Sequence, residues 1–574
     1  MKKNTTSKFL IGSWVSFYPF DIQSYEYQLD QMRKVGINFN IFPASFGEGM
    51  QDAATWSNVE TQYESRDMYY CMYGGPTEDL LREGVQYAKG KTRCIGYHLA
   101  DEPSGATLPQ VGRMVRAYRE ADPKRYPFVN LFPSYAGSTA LDGNYYQYCS
   151  RFVSEAGEEN IEYLSHDFYP FHQNGTAMSI FGDMETIRRV AFENGRLRTH
   201  AFPQATAWQG TRMPNIDEMR WNVYAYVAYG FKALSWFNLV CPGKSDTEGE
   251  GFREALIYRD GTVKDEQLLE EFGNLNNEIH TLGDTLMKLD TVHAYHTKGE
   301  IAGVEMLPTD WMITPTDDSD FVISHMVSKK GDETYVMLFN KSYESAVTAS
   351  FAVSPFSGIS SLSYVSPFDG NEHPVSVSEG VFTEAFRPGE GRLYKLGGLI
   401  TRRVLPIQRN PARLNMEIPE VAELIGLDVT FSADTDMKAS TLQITTNKRF
   451  PEEKTLYIAF NHDSSDSTDA AFFPRDGKIR FAPYPSKHIR YTVHDEASWH
   501  NYGYAEVRVR YADEPDRDAS TAEDLMENEC ATNSLPSKTL HIDKGIVAAA
   551  AVTLAGAVAG LTLGIIKAIK KRRK

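Results

Sequence analysis

Asp101 and Glu102 stand side by side at the end of a short apolar run, Cys-Ile-Gly-Tyr-His-Leu-Ala over residues 94–100, and Pro103 follows them. Adjacent carboxyls are material for acid–base chemistry, because two acids sharing one place push one pKa upward and leave the other ionised. Pro103 biases Glu102 towards an extended backbone, so the run is expected to end at the acids. A helical pattern begins directly afterwards with Leu108, Val111, Met114, Val115 and Tyr118. Strand, acid, helix is the order in which a parallel (β/α)8 barrel presents reactive groups at its C-terminal rim. The run ending in Ser165-His166-Asp167-Phe168-Tyr169-Pro170 offers a third acid in the same way.

Other run ends add amides and aromatic rings. The first gives Trp14, Phe17 and Tyr18, the fifth Asn130 and Tyr135, the sixth His166 and Tyr169, the seventh Gln204 and Trp208, and the eighth Trp236 and Asn238. Carboxyls, amides and flat apolar rings together suit a sugar, whose CH faces stack on rings and whose hydroxyls need directional partners. No G-x-S-x-G elbow, P-loop, G-x-G-x-x-G or metal-spaced histidine pair occurs, so neither a cofactor nor a metal is expected. The formal charge of −17 excludes a nucleic-acid groove, which needs concentrated Lys and Arg. Five scattered cysteines form no C-x-x-C, and the four that lie in or beside apolar barrel segments read as small core residues.

The elements that must hold these groups alternate along the chain. Strand-like runs fall at 9–17, 38–42, 68–72, 93–100, 128–132, 163–169, 199–206 and 233–240, with helices clearest at 22–35, 78–88, 108–120, 184–194 and 216–229. Eight such runs predict an α/β protein built on a TIM (β/α)8 barrel over 1–292, closed by a helix at 264–290. After about residue 295 the apolar period falls to two. An antiparallel β-sandwich domain is expected over 293–400 and a second β-rich domain over 401–511. Residues 512–544 are acidic and polar and read as a flexible linker.

Residues 545–566 carry no charge, and six Lys or Arg follow within 567–574. An apolar helix of that length matches a bilayer core, and the basic tail predicts a cytoplasmic C-terminus with the body outside the cell membrane. Gly556, Gly560 and Gly564 share one helical face, a spacing that permits weak homodimer contact. No clear signal peptide precedes the first run. Leu535-Pro536-Ser537-Lys538-Thr539 resembles a Gram-positive cell-wall sorting signal with Thr one place late and Gly missing, so simple membrane anchoring is the expectation.

Tyr97–Pro103, Asn130–Tyr135, His166–Pro170 and Trp221–Asn238 resemble the barrel of bacterial β-galactosidase-like glycoside hydrolases, near family 42 of clan A. The resemblance covers residues 9–290 and the short β domain ending Pro388-Gly389-Glu390-Gly391-Arg392. It implies an acid/base Glu at the end of the fourth strand, matched by Glu102, where Asp101 replaces the usual Asn. It also implies a nucleophilic Glu at the end of the seventh strand, where this chain has Gln204 and no acid between Glu193 and Asp217. The Asp101-Glu102 pair is similar to the dyad of family 20 and family 123 hexosaminidases, in which the substrate's own acetamido group is the nucleophile. Three readings stay open: Glu102 acting with Asp167, a substrate-assisted Asp101-Glu102 dyad, or a barrel that binds glycans at the cell surface without cleaving them. Each implies an oligo- or polysaccharide partner.

Overall fold

Eight of the apolar runs become parallel strands that close on themselves: β1 (Leu10–Val15), β2 (Phe39–Phe42), β3 (Tyr69–Tyr73), β4 (Cys94–Asp101), β5 (Tyr126–Leu131), β6 (Tyr163–Asp167), β7 (Arg198–Phe202) and β8 (Ala233–Trp236). Each pairs with its sequence neighbour, and β8 closes the ring on β1. The computed structural model describes residues 6–15, 25–43, 53–208, 210–241, 251–258, 261–329, 333–398, 401–407, 411–432, 437–461, 471–472, 477–495 and 503–514.

Successive residues of a strand point to opposite faces. One set, including Leu10, Phe39, Cys71, Phe128, Phe202 and Ala233, forms the inner cluster of the barrel. The alternate set, including Ile11, Met72, Leu131, Leu164 and Leu234, packs against the surrounding helices. Those helices are α1 (Tyr25–Lys34), α2 (Ala53–Ser65), α3 (Glu78–Ala88), α4 (Leu108–Ala121), α5 (Tyr145–Ala156), α6 (Ile180–Glu193), α7 (Ile216–Ala228) and α8 (Glu266–Leu286). Capping boxes fix two of their starts, Asn144 with Gln147 on α5 and Asn215 with Glu218 on α7. Gly112 lets α4 approach α5 closely, since a Cβ there would lie 2.4 Å from the Glu155 carbonyl oxygen.

The expected closing helix stops at Leu286, and Leu289–His296 is already a strand. That strand sits in a seven-stranded sheet accompanied by a three-stranded one (Ile313–Pro315, Val347–Val353, Val381–Phe386). The larger sheet is not purely antiparallel, because Leu289–His296 pairs in parallel with Glu305–Met306. These sheets and the barrel form one compact unit, residues up to 353 together with 361–397. Within it the Trp221 indole N–H of α7 donates to the Lys341 carbonyl (2.9 Å), and Arg387 grips both carboxylate oxygens of Glu278 on α8 (3.1 and 2.9 Å).

A second unit contains 354–360 and the described residues from 398 onward. It holds a seven-stranded sheet dominated by the long strands Ala412–Phe431 and Gly477–Asp495, with its own core of Leu427, Leu442, Ile489, Tyr491 and Val507. Among the described residues no helix is long and apolar enough to cross a membrane. The expected linker beyond 514, the span 545–566 with Gly556, Gly560 and Gly564, and the basic tail lie outside the described residues.

Candidate active site

The strand that delivers the acid pair ends in an unusual turn. β4 runs beside β5 with a register shift between His98 and Ala100, which brings Asp101 opposite Asn130. Glu102 then adopts φ +46°, a left-handed conformation and not the extended one that Pro103 favours. A non-glycine residue there is strained unless its surroundings hold it. Here the Glu102 N–H donates to the Asn130 carbonyl (2.9 Å), and the Tyr148 hydroxyl donates to the Pro103 carbonyl (2.6 Å).

Three carboxyls meet at this rim. Asn130 Nδ2 donates to Asp101 Oδ1 at 3.2 Å. Asp167, at the end of β6, is 6% exposed. Its Oδ1 and the Oε1 of Glu102 are buried oxygens that meet no hydrogen-bond partner among the described residues. Burial raises all three pKa values, and like charge adds to it at Glu102 and Asp167. Glu102 stands well above the usual range through burial, then through the charges of Asp167 and Asp101. Asp167 is pushed up to about 8 by burial and then by Asp101, with Tyr169 and Asn130 pulling the other way. Asp101 rises only to about 6, because Asn130 opposes its burial. Within the trio Asp101 is thus the readiest to ionise, and Glu102 holds its proton well above the usual carboxyl range.

The sequence-derived candidates divide sharply around these acids. Tyr135 and Tyr169 border them, and both phenols are raised by burial and then by the charge of Asp167. Trp208 packs edge-on against Tyr169 (4.8 Å between rings) within the inner cluster. Trp14 enters from β1, its ring 5.3 Å from both His98 and Phe202. Asn130 is central, linking Asp101 to β6.

Three candidates face elsewhere. His166 neighbours Asp167 on the same strand and so points outward, where it hydrogen-bonds the Tyr145 hydroxyl (3.2 Å) and packs against Tyr226 and Phe231. Trp236 also points outward, donating to Asn276 on α8 (2.9 Å) against the ring of Phe272. Gln204 is fully buried and clamps a loop. Its Oε1 accepts from the Phe171 N–H (3.0 Å), and its Nε2 faces the carbonyls of Phe171, Thr206 and Arg212 (3.2, 3.3 and 2.9 Å).

Sequence reasoning missed Asp183 of α6, whose Oδ2 accepts the Ser134 N–H (2.8 Å) and steadies the loop bearing Tyr135. Burial pushes Asp183 up to about 7. It also missed Ser165, His200 and Ser235, polar residues inside the barrel wall. Polar residues in otherwise apolar strands were the available signal. Among the described residues no group of His, Cys, Asp and Glu has the arrangement of a metal site. Phe17 and Tyr18, with the segments 16–24, 44–52 and 242–250, lie outside the described residues.

No protein-family model matches the chain, and no curated protein matches it in sequence. Among solved structures it is similar to an α-amylase from Anoxybacillus, at 10% identity and a TM-score of 0.40, over 68% of this chain and 98% of that one. It is similar to a γ-CGTase from alkalophilic Bacillus clarkii, at 11% identity and 0.41, over 84% and 83%. An α-L-arabinofuranosidase from Thermotoga maritima gives 10% identity and 0.37, over 68% and 96%. Likenesses at this level assign no activity to this chain.

Proposed function

We propose that the chain is a glycoside hydrolase in which Glu102 protonates the leaving oxygen. The observation that carries the reading is the carboxyl trio Asp101, Glu102 and Asp167 at the barrel rim beside Tyr135, Tyr169 and Trp208, where burial and like charge raise Glu102. A general acid must keep its proton at working pH, and burial next to like charge is how a Glu does so. The ionised neighbour then faces the positive charge that develops on the sugar ring. Asp167, raised to about 8, is the second carboxyl, and only its ionised form can activate water or attack carbon.

A substrate-assisted route is favoured by one specific observation. The seventh-strand position holds Gln204, whose amide is fully engaged with backbone, so no nucleophile stands there. In that route Asp101 orients a 2-acetamido group and Glu102 serves as acid. The test is a panel of aryl β-galactoside, β-glucoside and N-acetyl-β-hexosaminide substrates with wild type and Glu102→Gln. Cleavage that Glu102→Gln abolishes supports hydrolysis, and cleavage confined to the hexosaminide supports substrate assistance. Retained glycan affinity without cleavage by either protein would replace the enzyme with a binding barrel.

The proposal includes anchoring through residues 545–566, with the body outside the cell. Full-length chain should then need detergent for extraction, and a chain ending at 514 should not. Equal extraction of both without detergent would refute the anchor.

A further inference from the structure

Five neighbouring strands of the barrel wall contribute polar side chains that touch in sequence. Ser235 Oγ of β8 lies 2.9 Å from His200 Nε2 of β7, and His200 Nδ1 lies 2.8 Å from Ser165 Oγ of β6. Ser165 Oγ donates to Asn130 Oδ1 of β5 at 3.0 Å, and Asn130 Nδ2 donates to Asp101 Oδ1 of β4. Gly12 on β1 leaves room at the far end, since a Cβ there would lie 2.6 Å from Ser235 Oγ. Ser165, His200 and Ser235 are all fully buried.

The chemistry of these groups fixes the direction of the whole chain. An ionised carboxylate only accepts, so the Asn130 amide turns its NH2 to Asp101 and its oxygen to Ser165. Ser165 must give its one proton to that oxygen, so His200 must carry its proton on Nδ1. Burial among Phe128, Phe202 and Tyr163 keeps the imidazole neutral, with His166 also opposing its charge. His200 Nε2 is then bare, and Ser235 donates to it. If Asp101 is protonated, every bond can reverse: Asp101 donates to the flipped amide, Ser165 to His200 Nδ1, and His200 Nε2–H to Ser235. Glu102, Asp167 and Tyr169 are the titratable groups around the Asp101 end.

We propose that His200 is a positioning residue for Asp101: its Nδ1–H tautomer polarises a side-chain chain around the barrel interior that ends on the Asn130 amide and favours the carboxylate form of Asp101. The catalytic consequence rests on the glycosidase reading, whereas the coupling of tautomer to carboxyl does not.

Two experiments keep these apart. Solid-state 15N NMR of the full chain labelled at histidine, with the His200 signals identified by their loss in His200→Phe, reads the tautomer directly. A neutral Nδ1–H ring at pH 8 that becomes a neutral Nε2–H ring at pH 5 is expected. An Nε2–H ring or an imidazolium at pH 8, or one tautomer throughout, overturns the proposal even in an active enzyme. On whichever aryl glycoside the wild type cleaves, Ser165→Ala and His200→Phe should each move the acid limb of the pH profile up by about one unit, the scale of one hydrogen bond to a charge. kcat should fall more than KM rises. His200→Gln, which can donate to Ser165 and accept from Ser235, should restore the limb. If Ser165→Ala, a small change in volume, leaves the limb in place, the chain does not govern Asp101. If no substrate is cleaved, the tautomer result alone decides the coupling.

Discussion

Gln204→Glu puts a carboxyl where the family resemblance implies a nucleophile, and its outcome separates the two ways of reading that position. In the structure the Gln204 amide nitrogen faces three backbone carbonyls at 2.9–3.3 Å, and the Phe171 N–H donates to its oxygen. A carboxylate would lose the donations that the two N–H bonds share among these three carbonyls, about 1 kcal/mol net per N–H. It would also set a buried anion against carbonyl oxygens, so the new Glu would take up a proton and its folded pKa would rise. Loss of about 3–5 kcal/mol at neutral pH follows. With ~2.1 cal/mol/K of unfolding entropy per residue and a unit of roughly 390 residues, Tm falls by about 4–6 °C. The sign of the pH dependence is fixed. A raised folded pKa means no ionisation penalty below the unfolded value near ~4.3, and a penalty growing by up to ~1.4 kcal/mol per unit as pH rises towards the folded pKa. Calorimetry of wild type and variant at pH 5 and pH 8 should show the larger deficit at pH 8. An unchanged Tm at pH 8, or a gain in kcat, would mean that residue 204 faces the site after all.

Further expectations follow from the other contacts. Glu102→Gln should lower kcat/KM by about 10²–10⁴-fold, the range for removal of a general acid, with the affinity for an uncleaved glycan retained. Asp167→Asn removes the largest charge acting on Glu102, so the basic limb of the pH profile should move down; a fixed limb would show that burial alone raises Glu102. The same variant should be more heat-stable than wild type at pH 8 but not at pH 4, because the raised Asp167 pKa costs stability only as pH climbs from the unfolded value towards about 8. Trp236→Phe should lower Tm through the lost Asn276 bond and leave KM unchanged; a raised KM would return Trp236 to the site.

The barrel was legible because its strands are buried on both faces and stand out as apolar runs between helices. The same property hid which residues face inward. On β6 the parity rule was available: if Asp167 lines the barrel, His166 cannot, and only counting by two was needed. On β8 no polar residue besides Ser235 marked the inner face, so Trp236 read as a rim aromatic. Gln204 was beyond sequence reasoning, since its partners are mainly backbone carbonyls, and carbonyls leave no trace in residue types. The Glu102 backbone inverted the expectation from Pro103, because the Asn130 carbonyl and Tyr148 secure a conformation that local propensity disfavours. Helix α2 was overlooked although Trp56, Val59 and Tyr63 are its buried residues, because its apolar residues give only a weak helical period. Helix α5 carried a readable cue in Asn144 and Gln147.

A barrel interior is ordinarily filled by bulky branched side chains, and this one places Ser165, His200 and Ser235 in the wall instead. Buried polar groups cost free energy unless each is satisfied, and a chain of bonds satisfies them only as a set. Removal of one member thus leaves both neighbours unpaired, which is the condition under which a substitution several residues from a carboxyl can change that carboxyl's charge. The rim needs such a constraint. Asp101, Glu102 and Asp167 are close enough to repel, and burial alone raises all three without choosing among them. Asp101 takes its donor from Asn130, the last link of the interior chain, and Asn130 also pulls Asp167 down against its burial. On the proposed reading, the difference between Asp101 and its two neighbouring acids is therefore set from inside the barrel wall.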